Sequence, residues 1–182
     1  MEKLFLLLIA LCSFLPGWTQ RYVPTDKGSS IAFAIKNMGL TVEGTFKGLK
    51  GSIFFDPNDL LPSKFDITID AESIDTGIDL RNKHLKKEEY FDAANFTEIR
   101  FVSTKIEVLP QPGKFTVTGK LTIKKVTKEI NFVFTADRLG TGYFFKGEFS
   151  IDRRDYKVWG NSFSMSDDVK VFLSVASTLD KV

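Results

Sequence analysis

Between residues 114 and 124 the chain alternates without a break. Phe115, Val117, Gly119, Leu121 and Ile123 take one parity, and Lys114, Thr116, Thr118, Lys120, Thr122 and Lys124 the other. Side chains two apart share a face only on an extended strand, so this segment is a strand with one apolar and one wet side. The same period recurs at Ile31, Phe33, Ile35; at Phe65, Ile67, Ile69; at Ile130, Phe132, Phe134; at Tyr143, Phe145, Phe149, Ile151; and at Val169, Val171, Leu173, Val175. Shorter candidates lie at 42–46 and 53–55. About eight strands, each apolar on one side only, define an all-β protein with an antiparallel sheet that must curl up to cover that side. A strand of about eleven residues spans roughly 35 Å, and strands of that length favour a tall closed barrel with a long, narrow interior.

Turn residues separate the runs at Gly48-Leu49-Lys50-Gly51, Asp56-Pro57-Asn58, Pro110-Gln111-Pro112-Gly113 and Gly140-Thr141-Gly142. Around residues 99–108 the parity slips, Ile99 and Phe101 falling in one register and Ile106 and Val108 in the other, which predicts a bulge or an inward Ser103. Alternation disappears over residues 76–91, where 79–89 is rich in helix formers. Thr76 with Asp79 three residues on marks a helix start, and a short helix is expected to cross one end of the sheet.

The first residues are of another kind. Met1-Glu2-Lys3 precedes an apolar run over 4–15, too short for a helix spanning a bilayer and suited to a secretory leader. Cleavage after Thr19 is expected, leaving one domain over 20–182, periplasmic or secreted. The only Cys, Cys12, goes with the leader, so the mature chain suits an oxidising compartment and has no disulfide. One His and one Cys cannot make a four-ligand zinc site from those residue types, and no calcium loop is present at 56–59 or 75–79. A formal charge of +2, without aromatics interleaved among the lysines, gives no hold on nucleic acid. No metal or cofactor is expected. Nothing in the sequence sets the oligomeric state, and a homodimer is compatible with it.

His84 is the only imidazole, and no nucleophile motif accompanies it. Phe is the unusual residue, 18 in 182. The apolar parities collect Phe33, Ile35, Phe65, Ile67, Phe101, Phe115, Val117, Phe132, Phe134, Phe145, Phe149 and Val171 toward the interior, while Phe144 and Phe172 point outward. Inward rings either fill a barrel or line a ligand bore, and periodicity alone does not separate the two.

Further blocks, in order, bear on that choice. The run Ala71-Glu72-Ser73-Ile74-Asp75-Thr76-Gly77, with Arg81-Asn82-Lys83-His84-Leu85 and Tyr90-Phe91-Asp92, resembles the signature of the YceI-type polyisoprenoid-binding proteins. Ile99-Arg100-Phe101-Val102-Ser103-Thr104, Gly119-Lys120-Leu121-Thr122-Ile123 with Val126-Thr127-Lys128, Ile151-Asp152-Arg153-Arg154-Asp155-Tyr156 and Ser166-Asp167-Asp168-Val169 continue the likeness along nearly the whole mature chain. It departs at Asn37, where the family commonly has His, and at Asn82, Thr97 and Lys125. The resemblance implies a lipocalin-like antiparallel barrel whose apolar bore takes an isoprenoid chain or similar amphiphile, and no enzymatic activity. The twelve inward residues are then the expected bore, with Arg81 and His84 as rim groups for a head group. Two other readings stay open: a lipid-modifying enzyme using His84, and a solid-cored barrel that meets a protein partner through its outer face.

Overall fold

The computed structural model describes residues 20–159 and 162–181, so the expected leader lies outside the described residues. Eight strands follow one another: β1 (Arg21–Asn37), β2 (Leu40–Phe54), β3 (Lys64–Asp75), β4 (Glu98–Val108), β5 (Lys114–Ile123), β6 (Val126–Leu139), β7 (Gly142–Asp152) and β8 (Met165–Leu179). Each pairs antiparallel with its neighbour, and β8 returns to β1 to close the barrel. Closure removes both sheet edges, which otherwise offer unpaired backbone groups to other chains. The register sets the inward parities side by side: Phe115 opposite Phe134, Val117 opposite Phe132, Phe33 and Phe149 each opposite Val171.

The two short candidates at 42–46 and 53–55 belong to one strand, β2, which stops at Phe54, one residue short of the second candidate, and Gly48-Leu49-Lys50-Gly51 is a bulge inside it rather than a turn. Gly48 (φ 78°) and Gly51 (φ 123°) take left-handed backbone, and the pairing with β3 slips between Lys47 and Lys50. The amides this frees are not lost, because the Asp26 carboxylate accepts from Gly48 and Leu49, both at 3.0 Å. A bulge therefore bends the strand while its polar groups stay satisfied. The parity slip in β4 has both expected causes. The pairing with β5 jumps between Ser103 and Lys105, and buried Ser103 accepts the Phe65 amide through Oγ at 2.8 Å.

Between β3 and β4 runs the helix α1 (Asp79–Leu85), shorter than residues 76–91 suggested. Thr76 does not cap it. The N-cap is Ile78, with no side-chain cap bond, and Thr76 instead donates its amide and hydroxyl to Asn82 Oδ1 at 2.8 and 2.6 Å. A turn intervenes, held by the Asp75 carboxylate accepting from Gly77 at 2.8 Å, and it displaces the helix start by two residues. The 3-10 turn Arg153–Tyr156 lies between β7 and β8. Counting strand directions, α1 and this turn share one end of the barrel with the hairpins at 38–39 and 124–125. The loops 55–63, 109–113 and 140–141 occupy the other end.

Candidate ligand cavity

The two ends differ. At the loop end, Phe55, the residue just after β2, is 1% exposed and its ring meets those of Phe65, Phe115, Phe134, Tyr143 and Phe145 at centroid distances of 5.2–6.1 Å. Most of these pairs are edge-to-face, the arrangement that ring quadrupoles favour. Tyr22 joins at Tyr143, 5.2 Å away. This cluster is a packed floor.

Above the floor lies a cavity of about 260 Å³. Of the twelve inward residues, Phe33, Ile35, Phe65, Ile67, Phe101, Phe132, Phe134, Phe145, Phe149 and Val171 line it. Phe115 and Val117 do not. Phe115 stacks on Phe134 at 5.4 Å within the floor, and Val117 is fully buried, because the lower half of β5 faces rings rather than space. Three glycines make room for the wall rings. A Cβ on Gly44 would stand 2.3 Å from the Phe33 ring, one on Gly119 2.5 Å from Phe101, and one on Gly147 3.2 Å from Phe132.

The helical end is roofed by side chains with no periodic signal. Leu85, Tyr90, Phe91, Tyr156, Val158 and Trp159 all line the cavity. Tyr90 stacks flat on Trp159 at 4.5 Å, and Phe91 meets Phe46 edge-on at 5.5 Å. The roof is pinned by Arg153, whose buried guanidinium donates to Ser166 O at 2.9 Å, Val158 O at 3.2 Å, Trp159 O at 2.7 Å and Asp167 Oδ1 at 2.8 Å. That set ties the segment after β7 to the start of β8. The ion pair with Asp167, which also meets Arg154 at 2.9 Å, matches the buried charge.

Of the two expected rim groups, Arg81 lines the cavity and His84 does not. Arg81 donates from Nε and Nη2 to Thr76 Oγ1 and O, at 2.8 and 2.7 Å, and these oxygens are neutral. It makes no ion pair among the described residues. His84, one turn further along α1, is exposed. Asn37, at the end of β1, also lines the cavity. Burial, reinforced by the nearby Asp155 charge, pushes the Tyr156 phenol up to about 12. Burial likewise raises Tyr90. No group of three or more His, Cys, Asp or Glu suited to a metal occurs among the described residues.

A closed eight-stranded antiparallel barrel with an apolar cavity between a packed floor and a helical roof is the architecture of a small-ligand-binding barrel. The particular family follows from the sequence match: residues 22–177 match the YceI-like domain, and the chain belongs to that family. A UPF0312 protein of Photorhabdus laumondii is 37% identical over 113 residues, covering 62% of this chain and 57% of that relative, so the match spans little more than half of its length. BcnA of Burkholderia cenocepacia has the same fold at TM-score 0.76 and 28% identity, over 81% of this chain and 94% of BcnA. A polyisoprenoid binding domain from Saccharophagus degradans, implicated in plant cell wall breakdown, superposes at TM-score 0.70 over 87% of this chain and 98% of that domain; at 18% identity the likeness is one of fold.

Proposed function

We propose that this protein is a non-enzymatic carrier or store for a long-chain isoprenoid or similar amphiphilic lipid, exported to the periplasm or beyond on the strength of the expected leader. The observation that carries this reading is the cavity: about 260 Å³, walled by aromatic and aliphatic side chains, inside a barrel that could have been filled. Each buried methylene contributes about 0.8 kcal/mol, so a chain needs no charged anchor to bind well. The family and the name of the Saccharophagus fold relative point the same way. With the floor packed, the lipid chain enters tail first beneath the roof, and Arg81, which makes no ion pair among the described residues, is the rim group left to meet a polar end. His84 stands off the cavity, which gives the enzyme reading no support.

The mature chain offers its own reporter. Of two Trp residues, Trp18 lies in the expected leader and Trp159 in the roof, so ligand uptake is expected to change Trp159 emission. Native mass spectrometry of protein from its own host is expected to show a co-purified lipid. An empty barrel that also leaves Trp159 emission unchanged on titration with prenyl lipids would sink the proposal. Determining the amino-terminal residue of the exported protein checks cleavage after Thr19.

A further inference from the structure

Exposed apolar side chains at the helical end gather around the cavity. Met38, Leu40 and Phe163 meet at one tip: Leu40 pairs with Asn37 across the hairpin turn, and the Met38 amide donates to Ser164 O at 2.7 Å, with Phe163 next in the chain. Asn37 and Met165, on either side of this tip, line the cavity. Ile78 and Leu80, at the start of α1, stand by its roofed end in the same way, since Thr76 and Arg81 close to them in the chain line it too. Met38 is 80% exposed, Leu40 73%, Leu80 66% and Ile78 52%, and Phe163 is wholly exposed. Met38 is also strained. It opens a two-residue turn with Gly39, both on left-handed backbone at φ 52° and 79°, where Asn or Asp before Gly is favoured and a long apolar side chain is not. A side chain so exposed contributes nothing to the core that would offset this strain.

We infer that this rim is a docking face for an anionic lipid bilayer, on which the barrel stands with its helical end down while cargo passes in or out. This rests on the reading that the cavity holds a lipid, and it names the surface with which that lipid is exchanged. Separate tips around the end of a cavity suit a fluid partner, because acyl chains close around each one, whereas a folded partner must match the gaps between them. Charge selects the kind of bilayer. The connections at the helical end carry more cationic than acidic side chains, and Lys83, Lys87, Lys125 and Lys157 are exposed there without an ion pair among the described residues. Asp79, Glu88 and Glu89 share that end and reduce the excess without reversing it. The connections at the other end carry Asp56 and Asp59 and no cation. Apolar residues are exposed there as well, Leu61, Val108 and Leu139, but one to a connection and over a packed floor rather than a cavity. Apolar tips that enter the headgroup layer and lysines that meet its charge act together at the helical end alone.

The intact mature protein is sedimented with vesicles of phosphatidylglycerol and phosphatidylcholine, and with vesicles of phosphatidylcholine alone. Binding to the anionic vesicles is expected to be about tenfold tighter and to weaken as salt is raised. Met38→Asn combined with Phe163→Ser is expected to lose about tenfold or more of that binding, whereas Leu61→Ser combined with Leu139→Ser leaves it unchanged. Met38→Asn alone is expected to weaken binding while raising the melting temperature, because Asn suits left-handed backbone, a split that a merely structural Met38 would not produce. The expected mature chain has no Cys, so a polarity-sensitive dye can be placed on Phe163→Cys, where it is expected to shift to the blue on vesicles, and on Leu61→Cys, where it is not. Equal binding to both kinds of vesicle overturns the choice of an anionic surface. Binding to neither, or equal loss from the two double substitutions, overturns the docking face. A dimer in solution that the rim substitutions dissociate, without vesicle binding, assigns the face to a second copy and overturns the bilayer. Uptake of geranylgeraniol is measured separately: uptake without vesicle binding overturns docking and leaves the bore reading standing, and vesicle binding without uptake does the reverse.

Discussion

Phe55 is the residue on which the floor turns. Its ring contacts five others although it lies outside any strand, in a loop whose neighbours Asp56, Pro57 and Asn58 read only as a turn. Phe55→Ala is expected to cost about 3–5 kcal/mol, read as a lower urea midpoint, and to admit longer chains in native mass spectrometry. Ser103→Ala leaves the buried Phe65 amide without its acceptor and is expected to cost about 1–3 kcal/mol. The inward Ser103 was legible as a break in parity, because an odd residue on an apolar face needs a reason. Phe55 was legible only as the end of the short candidate at 53–55, in parity with Ile53, and not as the centre of a ring cluster, because three residues do not show what they pack against. Asn37 Oδ1 and Tyr156 Oη, buried with no hydrogen-bond partner among the described residues, were visible as residue types but not as orphans, because whether a polar atom finds a partner depends on what the closed barrel brings near it.

Elements were readable where the alternation was long. β5, fully periodic, occupies Lys114–Ile123, close to its expected bounds, whereas β2 was split because glycines that usually make a turn here make a bulge. What distinguishes the two is Asp26, far away in sequence, whose carboxylate takes the freed amides. Asp26→Ala is expected to lower stability by about 1–3 kcal/mol and to speed amide exchange at Gly48 and Leu49 without affecting β5 or β6. Gly51→Ala is expected to be worse, because its Cβ would stand 2.0 Å from Asp66 O on a backbone at φ 123°. The roof was the least legible element. Its residues pack one by one, through stacking of Tyr90 on Trp159 and the bonds of Arg153, and such contacts follow no repeat.

At the scale of the molecule, several carboxylates and the phenols raised by burial, Tyr156 the furthest, set the response to pH. Hydrogen bonds from Arg100 hold Asp66 below the usual range against a smaller effect of burial. The Gly77 amide does the same for Asp75, with Asn82 helping. At Asp152 burial pushes upward, but the Arg154 amide and guanidinium outweigh it. Carboxylates depressed in the folded state contribute stability above their unfolded value, about 3.9 for Asp, and that contribution drains away as pH falls through the lower folded values. Urea midpoints are expected to decline below about pH 4, and Asp66→Asn to blunt the decline by less than about 1 kcal/mol, since the pair is solvent-screened. Tyr156 works on the alkaline side. Its phenol titrates at about 12 when folded and near 10 when unfolded, so stability is full below about pH 10 and falls as pH rises toward 12. Tyr156→Phe is expected to flatten that fall.

The ring-packed floor has one more consequence, for traffic. A tube open at both ends could stand between two surfaces and let cargo slide through. This barrel is packed at its loop end, so under the proposed function a lipid that enters tail first leaves head first by the same route. Delivery from a donor to an acceptor then requires the whole molecule to turn round in between. If the protein delivers lipid as proposed, residence time and not shuttling distance is expected to govern how quickly it does so, because a long chain must be withdrawn past the roof.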